Sequence, residues 1–105
     1  MKVNIKPREI HTLKSVAEQH DLTLEIIERT GSFIGTSAHF YAHFDADIVD
    51  GCFLRGAFGN GRTPQEAVRN YIKEVSGKEI KTRTGKYVFI PHLEDTIEGV
   101  FNEAK

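Results

Sequence analysis

Cysteine is all but missing: Cys52 stands alone in 105 residues, so no disulfide can close within the chain. Tryptophan is absent, which leaves three tyrosines and seven phenylalanines as the only aromatic anchors a partner could meet. Charge of one sign is lacking too, with 14 basic against 15 acidic side chains. That balance excludes a global field for nucleic acid or an anionic membrane; five histidines would tip it only below about pH 6.5. No apolar run approaches the roughly 20 residues that span a bilayer, and MKVNIKPREI lacks the apolar core of a secretion signal. A reducing, cytoplasmic setting without membrane contact is the expectation. Repeats, linkers and low-complexity segments are also missing, and 39% apolar residues suffice for one core, so residues 1–105 read as a single domain.

What is present centres on Gly51 to Gly77, GCFLRGAFGNGRTPQEAVRNYIKEVSG, a strand passing through a glycine turn into a helix. Thr63 is suited to the N-cap, Pro64 to the first helical position, and Glu66 to the return bond of a capping box. Gly77 supplies the stop. Ala67, Val68, Tyr71, Ile72 and Val75 form one apolar stripe, with Arg69, Asn70, Lys73 and Glu74 facing water. Gly59 and Gly61 are read as positions of positive φ, where the strand swings into the helix.

Elsewhere the patterns are shorter. Lys2 to Lys6 suggests an edge strand or arm, and Ile10, Leu13, Val16 and Ala17 share one face of a helix from about Arg8 to His20, with Asp21 beyond its end. Leu22, Leu24 and Ile26 alternate in a first strand, and the region of Gly31, Ser32, Gly35 and Thr36 reads as a hairpin turn. The return strand puts Phe40, Ala42, Phe44 and Ala46 on one face and His39, Tyr41, His43 and Asp45 on the other. Asp47 to Gly51 is expected to turn the chain and Cys52 to Phe58 to form the third strand, with Cys52 buried as a small hydrophobe. Two β-like pieces follow, Glu79 to Thr82 and Tyr87 to Ile90, around Thr84 and Gly85; Pro91 ends the second. Leu93, Ile97, Val100 and Phe101 suggest a last amphipathic helix, weakened at Gly99. The expected class is α+β: an antiparallel sheet in an α-β-β-β-α core, with extra C-terminal strands and a helix.

The order helix, three strands, helix resembles the double-stranded-RNA-binding-like folds. Within it, Gly61, Thr63, Glu66 and Ala67 match the G-x-T-x-x-E-A pattern that opens the helix in HicB-like antitoxin domains. A longer stretch, about His39 to Leu93, resembles small proteins of unassigned function from the early regions of phages and prophages. The resemblance to RNA-binding domains implies lysines at the start of the second helix, gripping phosphate across a groove. This chain has Thr63, Pro64, Gln65 and Glu66 there, which suit a stable cap and repel a phosphate.

Chemistry-bearing patterns are sparse. His39 and His43 share a strand face but lie about 13 Å apart, too far to hold one ion, while His43 and Asp45, about 7 Å apart, supply only two ligands. Asp45, Asp47 and Asp50 before Gly51 miss the calcium-loop spacing, and Gly56 stands where the bidentate glutamate belongs. Gly59, Gly61 and Thr63 lack the lysine of a phosphate loop. A Cys52 and His43 nucleophile pair has no oxyanion donor or orienting third group in the pattern. No catalytic, cofactor or metal site is expected, and the chain reads as a non-enzyme. The leading expectation is a phage-derived protein acting by protein–protein contact on a host or phage protein, sharpest as an anti-CRISPR-like inhibitor of a defence nuclease. Its contact face would be His39, Tyr41, His43, Asp45, Asp47 and Asp50, an aromatic anchor beside carboxylates that stand in for phosphates. The alternative is a nucleic-acid-binding accessory protein of phage recombination or regulation, using Lys78, Lys81, Arg83 and Lys86 near Tyr87.

Overall fold

The computed structural model describes residues 10–28, 39–97 and 99–101. Expectations for Lys2 to Lys6, Arg8 and the Gly31 to Thr36 turn fall outside those residues. The chain is α+β, with two helices and two antiparallel sheets in the order α1 (Leu13–His20), β1 (Leu24–Glu28), β2 (Phe40–Phe44), β3 (Ala46–Asp50), β4 (Phe53–Gly56), β5 (Gly59–Gly61), α2 (Pro64–Val75), β6 (Glu79–Thr82) and β7 (Tyr87–Phe89). One sheet runs β1-β2-β5 and the other β4-β3-β6-β7.

Helix α1 begins later than the periodicity predicts. Thr12 caps it in a reciprocal box with Ser15, Thr12 Oγ1 accepting from the Ser15 N–H at 3.1 Å and Ser15 Oγ from the Thr12 N–H at 2.9 Å. A local cap therefore overrides the apolar spacing at Ile10, which lies outside the helix and is exposed. Asp21 ends the helix in the left-handed region, at φ 53°.

The expected second and third strands each divide in two. Phe40 to Asp50 is one run of strand bent at Asp45, and Phe53 to Gly61 is its return, interrupted at Ala57 and Phe58. Between the pairs Ala42–Gly59 and Asp47–Gly56, the four residues His43 to Ala46 face only two. The surplus is even, so the alternation of faces survives the bend. Phe40, Ala42, Phe44, Ala46 and Ile48 all pack toward the core. The turn expected over Asp47 to Gly51 is instead mostly strand β3, and the chain reverses in two residues, Gly51 and Cys52. Gly51, at φ 63° in the first turn position, supplies the conformation such a tight hairpin requires. Cys52 is consequently exposed at the hairpin tip, not buried.

Helix α2 lies across β5 and β2. Thr63 Oγ1 accepts from the Glu66 N–H at 3.1 Å, but the Glu66 carboxylate reaches past the cap to the Arg62 N–H at 3.4 Å. Half of the expected capping box is thus present, with its return bond displaced by one residue. Gly59 and Gly61 do not have positive φ. They serve close approach: a Cβ on Gly59 would run into the carbonyl oxygen of Ala67 and the amide nitrogen of Tyr71, and one on Gly61 would lie 2.5 Å from the Ala67 amide nitrogen. The helix backbone rests directly on this glycine floor. Ala67, Val68, Tyr71, Ile72 and Val75 then close the core with Phe44, Ile48, Ile80, Val88 and Ile90.

After β7 no helix forms among the described residues. The Leu93 N–H donates to Ser76 Oγ (2.8 Å), the Glu94 N–H to the His11 carbonyl (2.9 Å), and Gly99 takes φ 78°. Tertiary partners for these amides displace the helical ladder. Leu93 is still buried, and Ile97, Val100 and Phe101 pack against the core, so the apolar spacing marked burial and not helix.

Tyr71 brings a hydroxyl into the core. Its hydroxyl accepts from the Phe44 N–H at 3.0 Å, and the two rings meet edge to face at 5.6 Å. Burial pushes the phenol up to about 12, the Phe44 hydrogen bond works in the opposite direction, and the Glu74 charge adds to the rise.

Two outcomes follow from this packing. Gly59→Ala, forcing a methyl into helix backbone, should cost about 1–3 kcal/mol or more by urea denaturation, whereas Cys52→Ala at the exposed tip should stay within about 0.5 kcal/mol. The Tyr71 phenol should also govern alkaline stability, because the folded state keeps a proton that the unfolded state, with its ordinary value of 10.0, releases. Its contribution is full below pH 10 and is lost as pH rises through about 12, an order-of-magnitude 2–3 kcal/mol. Tyr71→Phe should lower stability at neutral pH, leaving the Phe44 N–H unpaired at a cost of about 1–3 kcal/mol, yet flatten the decline between pH 10 and 12.

Candidate interaction face

Alternation along β2 and β3 sends Tyr41, His43, Asp45, Asp47 and Val49 to the side of the sheets opposite α2. On that side Asp47 is exposed, and Tyr41, His43, Asp45 and Val49 are half-buried. Tyr41 and His43 stack at 6.0 Å and 16°, and Phe58 meets both edge-on, at 5.5 Å and 5.1 Å. His43 Nδ1 lies 2.8 Å from the Phe44 carbonyl oxygen, which can only accept, so Nδ1 carries the proton. Nε2 faces Glu25 Oε2 at 3.7 Å. The imidazole is held between a ring, a carbonyl and a carboxylate.

Beyond this aromatic trio the face turns ionic. Asp45 Oδ2 lies 2.9 Å from Arg83 Nε, and the Arg83 N–H donates to the Asp45 carbonyl at 3.3 Å. Asp47 stands opposite Lys81 in the β3–β6 register, and the Lys81 ammonium sits 5.4 Å from the centre of the Tyr87 ring. His43, Asp45, Asp47, Phe58, Lys81 and Arg83 line one open depression of about 480 Å³. The acidic face and the basic hairpin, expected as alternatives, are therefore interleaved in one surface.

Four expected members lie elsewhere. Asp50 faces the helix side, 3.7 Å from Arg55, whose guanidinium also donates to Glu74 of α2 at 2.6 Å. That hydrogen bond raises the Arg55 pKa against a small desolvation cost, with the charges of Glu74 and Asp50 adding to the rise. His39 is exposed at the start of β2, and Lys78 is exposed ahead of β6. Lys86 sits in the β6–β7 turn, its N–H donating to Thr82 Oγ1 at 3.1 Å. Cys52 and His43 do not approach one another, since Cys52 lies beyond all of β3, about 23 Å of extended chain from the bend.

Residues missed in the sequence are Phe58, Glu25 and Leu54. Phe58 and Leu54 lie four apart, a spacing compatible with one strand face, but only the cross-strand register brings that face to Tyr41 and His43. Among the described residues no group of three or more His, Cys, Asp or Glu side chains could hold a metal ion, and no helix is long and apolar enough to cross a membrane. The arrangement offers rings, an open concavity and fixed charge pairs, which suit recognition. Comparison of the chain with protein-family models, with curated proteins and with solved structures finds no match.

The Asp45–Arg83 pair is a surface contact, with the arginine side chain 80% exposed. A double-mutant cycle with Asp45→Ala and Arg83→Ala should give a coupling below about 1 kcal/mol that shrinks as salt is added.

Proposed function

We propose that this protein is a non-enzymatic binding protein that acts by protein–protein contact through the face centred on Tyr41, His43 and Phe58. The observation carrying this reading is the aromatic trio on the side of the sheets away from α2, beside the Asp45–Arg83 pair and the row that Asp47 shares with Lys81. Binding hot spots have this anatomy: rings supply the buried centre, and a charged rim steers docking and fixes register. Phe58 replaces Asp50 in the contact set, and His39 lies at its border. In its sharpest form the partner is a bacterial defence nuclease such as a CRISPR effector, met in the host cytoplasm. The support for that form is the resemblance of His39 to Leu93 to early phage and prophage proteins, together with the ability of Asp45 and Asp47 to occupy a phosphate-binding channel.

The position of Lys81 over Tyr87 favours a second reading, single-stranded nucleic acid stacked on Tyr87 between Lys81, Arg83 and Lys86. Asp45 and Asp47 oppose it, since Asp45 pairs with Arg83 and Asp47 shares its row with Lys81. The test measures cleavage by purified CRISPR effectors, and capture of a partner from bacterial lysate, with the parent and three variants. Loss on Tyr41→Ala with Phe58→Ala, and weaker, less salt-sensitive capture on Asp45→Lys with Asp47→Lys, are the expected results. Capture unchanged by both, but lost with Lys81→Glu, Arg83→Glu and Lys86→Glu alongside a steep salt dependence of oligonucleotide binding, would transfer the function to nucleic acid.

A further inference from the structure

Among the described residues strand β4 is an edge strand, and its four residues are all exposed, Phe53 at 77% and Leu54 at 49%. Natural edges are blunted by lysine, proline, bulges or short length. The β7 edge follows that rule: the strand is three residues long, with Lys86 just before it and Pro91 two residues after it. The β4 edge does not: its single charge, Arg55, is turned to Glu74 and Asp50 on the helix side, away from the free edge.

The hairpin decides which backbone groups are free. In a two-residue turn the flanking pair, here Asp50 and Phe53, exchanges both ladder bonds, so the next pair, Val49 and Leu54, does not. The N–H and C=O of Leu54 therefore point out of the sheet edge, available to another strand. We infer that a second copy of this chain pairs there, antiparallel, about a two-fold axis midway between the two Leu54 residues.

Side chains select that register. With Leu54 opposite Leu54 of the second copy, Phe53 of each faces Arg55 of the other on the helix side, and the two leucines meet on the outer side. The planar guanidinium, already held by Glu74, stacks on the exposed Phe53 ring. A shift by two residues would instead oppose Arg55 to Arg55, which like-charge repulsion disfavours. The axis stands perpendicular to the sheet, so the four-stranded sheets become one of eight and both aromatic faces lie on the same side. Four-residue pairing buries less than the roughly 1,200 Å² of a standard interface, so association depends on concentration. The dimer rests on the edge alone and stands whether or not the aromatic face binds a protein.

Sedimentation of the full chain should show twice the monomer mass as concentration rises toward about 1 mM. Leu54→Lys, placing two like charges at the axis, should weaken association by about tenfold or more. In a Cys52→Ser background, Leu54→Cys should form an interchain disulfide under mild oxidation, because the paired Cα atoms would lie about 5.5 Å apart. Tyr87→Cys on the opposite edge should not. A chain that stays monomeric at about 1 mM, a dimer indifferent to Leu54→Lys, or cross-linking through Tyr87→Cys in place of Leu54→Cys each overturns the inference.

Discussion

The close contact of a helix backbone with two glycines sets the geometry of the molecule. Helices normally pack on sheets through interdigitated side chains, whereas α2 at Ala67 and Tyr71 sits where β-carbons of Gly59 and Gly61 would be. That proximity lets Tyr71 reach across β5 to the Phe44 N–H on the neighbouring strand. A hydroxyl lifted by ordinary side-chain packing would fall short. The same contact fixes β5 against β2, and so the start of the aromatic face on their far side.

The bend at Asp45 is the second constraint. An odd surplus there would have turned Asp47 and Val49 into the core and Ile48 out to water. The even surplus keeps one hydrophobic side across both sheets and the aromatic trio on the other, while the strand bends at Asp45, where Arg83 meets it. Phe58 belongs to the two-residue segment opposite that bulge, which directs its ring to Tyr41 and His43. The candidate interaction face is thus a product of the same irregularity that divides the sheet.

Interleaved charge changes what the surface can recognise. Asp45 and Arg83 satisfy one another, and Asp47 shares its row with Lys81, so neither sign presents a broad field. Association through such a face gains from rings and shape first, and from charge mainly as register.

Local physics determined much of this chain. The α2 stripe, its Thr63 cap, the Phe40-to-Ala46 alternation and the β6–β7 pieces were legible because helix period, cap chemistry and strand parity act within a few residues. Parity placed Tyr41, His43 and Asp45 on one strand face, whereas Asp47, expected in a turn, joins that face because β3 runs through it. Tertiary structure decided the rest. Glycines at Gly59 and Gly61 have the same letters whether they serve positive φ or close approach, and only the position of α2 distinguishes the two. Leu93, Ile97, Val100 and Phe101 carry a helical spacing, yet amides at Leu93 and Glu94 found Ser76 and His11 as partners. Phe58 joined Tyr41, Asp50 left Asp47, and Arg83 met Asp45 because strand register is a long-range quantity, set by where the hairpin turns and by how many residues bulge.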